Sequence, residues 1–427
     1  MNIAVALLNR GVNSSSLVAF CGVNSIQHTI FIVAIHLLGV TFMPLSPSYG
    51  QYEVVQQIKV SGADILVCSS NELSKFSAIL NDKNSELKLV VVFDGLHDRH
   101  ITYEQLRDEG QRFGGKLAKV PHFKVESVEE TVFLIHTSGT SGAPKCAIVP
   151  HRVILNNFNL VNSAGVNVNA ISAFMSPLGH ISGANTLPLQ LAFGGTMVMF
   201  ANRQPDFVAQ CIQKYQINSV MLYPNLGKHL VDHGYFDRYD MSSLKMVFTG
   251  AAAFPVDIAR AFIDKYGVIF REATSEYNPG NCGQVIPGTE LKVVDLTTGK
   301  VLGPNQDGEF YVRGVNMIRG YKNNDKAWAE AVDREGWFRT GDIGHYDDRQ
   351  CIFITDRMKE VMRVGVGQSY ANISPVEIEQ YLLTHPSIAE VVVVGVNNKA
   401  GTHRPRAYVV LTPGHSVTAT AIEEFVS

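Results

Sequence analysis

The sequence predicts an α/β protein: a large N-terminal domain of layered α/β subdomains plus a small β-rich subdomain, followed by a small α+β C-terminal domain. Three observations predict this architecture. Helix-like stretches alternate with short apolar runs up to about residue 290. After residue 291 the apolar runs are separated by turns rich in Gly, Asn and Asp. Beyond residue 357 a helical pattern precedes two more apolar runs, so we predict domains at 1–356 and 357–427.

The alternation in the N-terminal part predicts a largely parallel sheet, because a helix normally connects two parallel strands. The predicted helices are residues 26–38, 53–59, 206–214 and 256–265. The predicted strands are residues 65–67, 89–93, 132–135, 196–200, 219–222 and 246–248. The later part predicts strands at 293–294, 309–312, 351–354, 391–394 and 407–411, with a helix at 375–383.

Composition excludes several classes of protein. The 427 residues are 46% hydrophobic and 18% charged, which predicts a globular protein of two or three domains. The net charge of −3 offers no basic field, so we expect no nucleic-acid partner. The six cysteines form no C-x-x-C pair, which argues against zinc and disulfides and favours a reducing compartment.

The N-terminal region predicts neither secretion nor a membrane span. Arg10 lies where the apolar core of a signal peptide would run. The apolar stretch 29–40 contains His36 and is too short to cross a bilayer, so we expect a buried helix there. We expect a cytoplasmic or peroxisomal protein, although the C-terminus carries no S-K-L-type peroxisomal signal.

Residues 136–145 contain the most informative pattern, His-Thr-Ser-Gly-Thr-Ser-Gly-Ala-Pro-Lys, directly after an apolar run. Such a loop presents backbone N–H groups, small hydroxyls and one compact cation, which together suit a polyphosphate. It differs from the common G-x-x-x-x-G-K-S/T loop, because Pro144 precedes Lys145 and Cys146 follows it. Since proline opposes helix continuation, we expect strand, loop and strand. An ordinary Ser/Gly turn is the alternative interpretation.

This pattern resembles the phosphate loop T-S-G-T-T/S-G-x-P-K-G/A of the adenylate-forming (AMP-binding) superfamily, with Cys146 as a departure. The superfamily includes acyl-CoA synthetases, 4-coumarate–CoA ligases, firefly-type luciferases and adenylation domains of peptide synthetases. The resemblance implies that Lys145 is catalytic and neutralises the ATP phosphates. It also implies a phosphate-binding set of Thr137, Ser138, Gly139, Thr140, Ser141, Gly142 and Lys145.

Two downstream segments resemble further family motifs. Residues 177–183 are similar to P-x-x-H-x-x-G, which implies that His180 borders the acyl pocket as a catalytic-site residue. A structural histidine is the alternative. Residues 250–254 are similar to G-A-A-P-L/F, which implies that Gly250, Ala251 and Ala252 let the base or the acyl group lie flat against the backbone. A tight strand-to-helix turn is the structural alternative for residues 250–254, and the segment could serve both purposes.

The later motifs resemble the family's ribose and hinge segments. Residues 337–342 are similar to W-F/Y-x-T-G-D, which implies that Asp342, on a glycine turn, binds the ribose hydroxyls. Residues 356–360 are similar to the hinge D-R-x-K-E/D, so Arg357 would reach the ribose or phosphate, and the catalytic Lys359 would sit where the small mobile domain swivels. A charged surface turn is the alternative. The segment with Gly308 and Glu309 resembles a structural G-E motif, and residues 369–372 form an apparent insertion in a later one.

The resemblance implies a reaction in two displacements at one site. A carboxylic acid attacks the α-phosphorus of ATP and releases pyrophosphate, and the thiol of coenzyme A then displaces AMP. Neither step needs a protein nucleophile, so catalysis would come from positioning and charge neutralisation. Mg²⁺ would neutralise the remaining phosphate charge. The pocket, bordered by His180 and residues 193–195 and 250–254, predicts an apolar or aromatic small-molecule acid.

Three departures from the family pattern predict impaired adenylation. Residues 273–283 are shorter than the family's aromatic-Gly-x-Thr-Glu region, and the family's C-terminal lysine segment is absent after Thr412. The N-terminus begins within the family's first subdomain, so the chain is expected to be truncated at both ends and its C-terminal domain incomplete. A non-catalytic nucleotide- or acyl-binding protein and a luciferase-like oxygenase remain as alternatives.

Overall fold

The computed structural model describes residues 1–95, 97–114, 120, 123–137, 145–163, 170–178, 180–200, 202–250, 254–272, 275–276, 280–358, 362–366, 369–373, 375–397 and 403–426. The chain forms two compact units. The first contains Met1–Glu290 and Arg313–Asp333, and the second contains Leu291–Val312 and Arg334–Ser427. The domain boundary at residues 356–358 stays a prediction.

The strands of the described residues are, in chain order, β1 (Leu17–Cys21), β2 (Thr41–Leu45), β3 (Ile65–Cys68), β4 (Leu89–Val92), β5 (Ile101–Thr102), β6 (Thr131–Thr137), β7 (Lys145–Pro150), β8 (Ile171–Phe174), β9 (Thr196–Met199), β10 (Ser219–Met221), β11 (Met246–Thr249), β12 (Ile269–Glu272), β13 (Ser275–Glu276), β14 (Thr289–Val294), β15 (Val301–Leu302), β16 (Gly308–Gly314), β17 (Gly320–Tyr321), β18 (Phe338–Tyr346), β19 (Ile352–Arg357), β20 (Met362–Val366), β21 (Ser369–Ile373), β22 (Ile388–Asn397) and β23 (His403–Leu411).

The α-helices of the described residues are α1 (Asn2–Asn9), α2 (Ile26–Leu37), α3 (Gln51–Ser61), α4 (Ser77–Leu80), α5 (Tyr103–Arg112), α6 (His151–Ser163), α7 (Ile181–Phe193), α8 (Pro205–Tyr215), α9 (Pro224–Asp232), α10 (Val256–Tyr266), α11 (Asp325–Ala331), α12 (Pro375–Leu382) and α13 (Ala419–Val426). Each helix and strand predicted from the sequence coincides with one of these elements. Within the described part of the chain, no helix has both the length and the apolar character that a membrane crossing requires.

The first unit contains an eight-stranded sheet in the order β17-β7-β6-β2-β1-β3-β4-β5. The strands from β6 to β5 run parallel, whereas β7 is antiparallel to both β6 and β17. All five residues of β1 are buried, because helices cover both faces of the sheet. Phe20, Phe42 and Phe133 pack on one face, and Cys21, Met43 and Leu134 pack on the other.

A second sheet of the same unit has the order β13-β12-β11-β10-β8-β9. Its strands are parallel except for the short β13, which pairs antiparallel with β12. The amphipathic helices α8 and α10 bury Val208, Ile212 and Phe262 against this sheet. Because neighbouring parallel strands end at the same edge, the residues that follow β8, β10 and β11 lie together at its carboxyl edge.

The second unit is richer in β-strands than the first, as the sequence predicted. One sheet has the order β15-β14-β16-β18-β19, and another has the order β21-β20-β23-β22 with α12 and α13 packed near it. Residues 369–372, the apparent insertion, belong to β21, which forms an antiparallel pair with β20. The predicted fold class is therefore confirmed: a mixed α/β protein with a large N-terminal and a small C-terminal part.

Candidate functional site

The predicted phosphate loop connects β6 to β7. These strands pair antiparallel with Thr137 opposite Lys145, so a strand lies on each side of the predicted loop, as expected, and no helix begins at Lys145. The Thr137 hydroxyl donates to the Lys145 carbonyl over 3.4 Å. Ser138, Gly139, Thr140, Ser141 and Gly142 lie outside the described residues, and their phosphate contacts stay predictions.

Lys145 contacts an aromatic ring on the neighbouring strand. Its ammonium nitrogen lies 5.1 Å from the centroid of the Tyr321 ring. Tyr321 belongs to β17 and pairs with Ala147, two residues beyond Lys145 on β7. The Trp328 ring meets the Tyr321 ring edge-on at 5.7 Å, and burial raises the pKa of the Tyr321 phenol. The uncharged Tyr321 ring, packed against Trp328, thus attracts the Lys145 ammonium. A cation–π contact of this kind is compatible with hydrogen bonds from the ammonium to a phosphate.

The carboxyl edge of the second sheet gathers the residues predicted to border an acyl group. The segment after β8 contains Ser176, whose hydroxyl lies 3.7 Å from the Met221 sulfur and 3.5 Å from the Tyr223 hydroxyl at the end of β10. Gly250 follows β11 at the same edge, while Ala251 and Ala252 lie outside the described residues. Tyr223 was not predicted from the sequence, because a single tyrosine after a three-residue strand has no distinguishing pattern.

Phe254, four residues after Gly250, is held in the apolar core beside the second sheet. It is buried, and its ring packs against Phe270 with centroids 4.9 Å apart. A Cβ atom on Gly227 would lie 2.4 Å from the Phe254 ring, so α9 can approach only because residue 227 is glycine. Apolar packing therefore fixes the position of Phe254, the last residue of the predicted G-A-A-P-L/F segment.

His180 has a structural contact in addition to its predicted role. It is exposed and serves as the N-cap of α7, where its Nδ1 accepts the backbone N–H of Ser182 at 3.2 Å and lies 2.8 Å from the Ser182 hydroxyl. Its predicted contact with the acid stays a prediction.

Asp342 and Arg357 are brought together within the second unit. They are opposite residues on β18 and β19, and Arg357 Nε donates to Asp342 Oδ1 at 2.9 Å. The predicted position of Asp342 on a glycine turn is wrong. Gly341 lies inside β18 with φ of +73°, and its carbonyl accepts the backbone N–H of Met358 at 2.8 Å. The left-handed glycine locally distorts the strand instead of ending it.

The Glu309 side chain, on the neighbouring strand β16, holds the part of β18 that precedes Asp342. Its side chain is 4% exposed, and Oε2 lies 3.1 Å from Arg339 Nη2. Oε1 accepts the Gly341 backbone N–H at 3.3 Å, and the Thr340 hydroxyl donates to the Phe310 carbonyl at 2.8 Å. The Glu309 hydrogen bond raises the pKa of the Arg339 guanidinium. The G-E motif was predicted to be structural, and these contacts agree, but no sequence pattern indicated that it holds the residue beside Asp342.

The predicted site residues divide between the two units. Thr137, Lys145, His180 and Gly250 belong to the first, and Asp342 and Arg357 belong to the second. Lys359 lies outside the described residues. Where the structure describes the chain, it contains no cluster of three or more His, Cys, Asp or Glu side chains suited to a metal ion.

Comparisons with known proteins agree on one family. A profile described as AMP-binding enzyme matches residues 1–322, and one described as AMP-binding enzyme C-terminal domain matches residues 377–427. The 4-coumarate-CoA ligase 1 of Narcissus pseudonarcissus is 27% identical, and the match covers 100% of this chain and 80% of that protein. A luciferin 4-monooxygenase of Nipponoluciola cruciata is 29% identical, with 99% and 80% covered.

Solved structures share the fold. The ATP-bound MatB from Rhodopseudomonas palustris matches with a TM-score of 0.83, covering 100% of this chain and 84% of that one. Its sequence is 22% identical, so this similarity concerns the fold alone.

Proposed function

Because this chain belongs to the AMP-binding enzyme family, we propose that it is an ATP-dependent acid–thiol ligase that forms an acyl-adenylate and transfers the acyl group to coenzyme A. In the first step a carboxylate oxygen attacks the α-phosphorus of MgATP, and the bond to pyrophosphate breaks. In the second step the thiol sulfur attacks the acyl carbon, the thiol proton is lost, and AMP leaves with its phosphate oxygen.

One observation supports the proposal most strongly: Lys145 begins β7 directly after the Ser/Gly loop and lies over the Tyr321 ring. An ammonium held over a ring face can still donate its protons to the leaving phosphates and neutralise their charge. Mg²⁺ enters as part of the substrate, bound to phosphate oxygens. Asp342 is proposed to accept hydrogen bonds from the ribose, with Arg357 orienting its carboxylate.

We propose an apolar or aromatic acid as the substrate. The carboxyl edge of the second sheet supports this, because an apolar side chain, Met221, and an aromatic side chain, Tyr223, lie there beside Ser176. Apolar and aromatic walls with few polar groups are typical of sites for such ligands. The name of the similar 4-coumarate-CoA ligase is consistent with an aromatic acid.

Pyrophosphate release tests the proposal. The protein is incubated with MgATP and single acids from a panel of aliphatic and aromatic acids, first without coenzyme A and then with it. We expect acid-dependent pyrophosphate without the thiol, and an acyl-CoA product with it. AMP binding in calorimetry, without pyrophosphate release from any acid, would instead support the non-catalytic alternative that the short 273–283 region suggests.

A luciferase-like oxygenase is the second candidate, and the similarity to a luciferin 4-monooxygenase favours it. Both candidates share adenylation, so they differ only in how the acyl-adenylate is consumed. Oxygen consumption and light emission with MgATP and luciferin, measured against acyl-CoA formation, separate them.

A further inference from the structure

Asn24 joins the first sheet to the carboxyl edge of the second. It lies in the connection from β1 to α2, directly before Ser25, whose hydroxyl caps α2 by accepting the His28 backbone N–H. Although Asn24 is polar, it is only 8% exposed. Its Nδ2 donates to the Ser176 carbonyl at 2.9 Å, and its Oδ1 accepts the Leu178 backbone N–H at 2.8 Å. One side-chain amide thus pairs with the backbone on both sides of Pro177.

The segment held by Asn24 makes a further backbone hydrogen bond, in which the Pro177 carbonyl accepts the His180 N–H at 3.0 Å. It follows the end of β8, and its proline has no N–H to donate. The Pro177 carbonyl packs so closely on α7 that a Cβ atom on Gly183 would lie 2.0 Å from it. Asn24 on one side and the close approach to Gly183 on the other therefore both restrain this segment.

The same segment leads to the residues assigned to the acid. Ser176 lies beside Met221 and Tyr223, and His180 caps α7 two residues after Leu178. A shift of the Ser176–Leu178 backbone would move the start of α7 relative to β10 and β11. The connection that carries Asn24 is itself held, because the His28 ring donates to the Val23 carbonyl from within the core.

We propose that Asn24 is a positioning residue for the acid site, which fixes the Ser176–Leu178 backbone at the carboxyl edge of the second sheet. This rests on the proposed ligase function. Asn24 acts through the backbone and not through contact with the substrate. Its loss is expected to weaken recognition of the acid while leaving recognition of ATP unchanged.

Steady-state kinetics of Asn24→Ala and Asn24→Asp test this proposal. Alanine removes both hydrogen bonds, whereas aspartate keeps the volume and the acceptor but cannot donate to the Ser176 carbonyl when ionised. Asn13→Asp and Asn13→Ala are matched controls, because Asn13 is an exposed asparagine that also bonds to backbone groups, the Gly11 carbonyl and the Ser15 N–H. KM for the acid and KM for MgATP are measured for each variant, together with the thermal unfolding midpoint.

The expected result is a KM for the acid raised roughly tenfold or more in both Asn24 variants, with KM for MgATP within about twofold of wild type and both controls unchanged. A purely structural role would lower the unfolding midpoint and the active fraction, and hence kcat, without a selective change in KM. Equal changes in both KM values, or none, would overturn the proposal while wild-type turnover still supports the ligase. If Asn24→Ala does not fold, the two KM values of Asn24→Asp test the proposal alone. A wild type that releases no pyrophosphate from any acid would remove both proposals.

Discussion

Lys145 and Tyr321 form a cation–π pair across two antiparallel strands, with the ammonium 5.1 Å from the ring centroid. The pair links the predicted phosphate loop to a two-residue strand far along the chain. The Tyr321 ring packs in turn against the Trp328 ring in a T-shaped contact, and α11, which carries Trp328, begins after Asn324 as its N-cap. The lysine at the end of the loop is thus oriented by a chain of aromatic contacts that the sequence motif does not include.

Tyr321 variants test the role of this pair. We expect Tyr321→Phe to keep KM for MgATP within about twofold, because the ring face remains. Tyr321→Leu is expected to raise it roughly 2- to 30-fold, which corresponds to about 0.5–2 kcal/mol of cation–π interaction. KM for the acid should not change in either variant. Equal KM values for MgATP in the two variants would show that the ring face does not orient Lys145.

Asp342→Asn tests the ribose assignment. An ionised carboxylate accepts hydroxyl protons more strongly than an amide does, and a charged hydrogen bond contributes about 1.5–3 kcal/mol. The wild-type enzyme should therefore prefer ATP to 2′-deoxyATP, and the variant should lose most of that preference. The measurement is the ratio of kcat/KM for the two nucleotides. An unchanged ratio would assign Asp342 to the Arg357 ion pair alone.

Glu309→Ala should destabilise the protein through the loss of buried contacts. The variant leaves the Gly341 N–H and the Arg339 guanidinium without this carboxylate, at a cost of roughly 1–3 kcal/mol. Glu290→Ala is the matched control in the same sheet, because Glu290 pairs with Arg313 through two hydrogen bonds but is 60% exposed. An exposed pair contributes about 0–1 kcal/mol. Urea unfolding midpoints compare the two variants, and an equal loss would contradict the role assigned to Glu309.

Stability should fall between pH 6.5 and pH 4. Burial lowers the pKa of His28, His36 and His136 from 6.5 to about 4. Above pH 6.5 these imidazoles are neutral in both the folded and the unfolded state. As the pH falls through 6.5 the unfolded chain takes up protons first, so each imidazole lowers the free energy of unfolding by up to roughly 1.4 kcal/mol per pH unit until the folded-state pKa is reached.

His36→Phe should reduce that slope by up to roughly 1.4 kcal/mol per pH unit, since one buried imidazole with a lowered pKa is removed. The substitution suits its surroundings, because the His36 ring already packs against Phe42 and Phe133. His229→Gln, a change at an exposed position of α9, is the control. Denaturant unfolding from pH 7.5 to 4.5 gives both slopes, and an unchanged slope in His36→Phe would contradict the assignment.

The fold could be predicted from the sequence where the signal is local. A buried parallel strand such as β3 is a continuous apolar run, and Pro144 ruled out a helix at Lys145. The conformation of Gly341 could not be predicted, because a left-handed glycine occurs both in turns and within distorted strands. Asn24 could not be found either, since its two partners lie more than 150 residues away and only the packing of the two sheets brings them together.

The most direct measurement is a single-turnover assay of acid-dependent pyrophosphate release from MgATP without coenzyme A, with wild type beside Lys145→Ala. We predict one equivalent of pyrophosphate per acyl-adenylate in the wild type, and a rate lowered roughly 100-fold or more in the variant. Pyrophosphate release that does not depend on an acid, or that is equally fast in Lys145→Ala, would contradict the assignment of the β6–β7 loop as the site where ATP is activated.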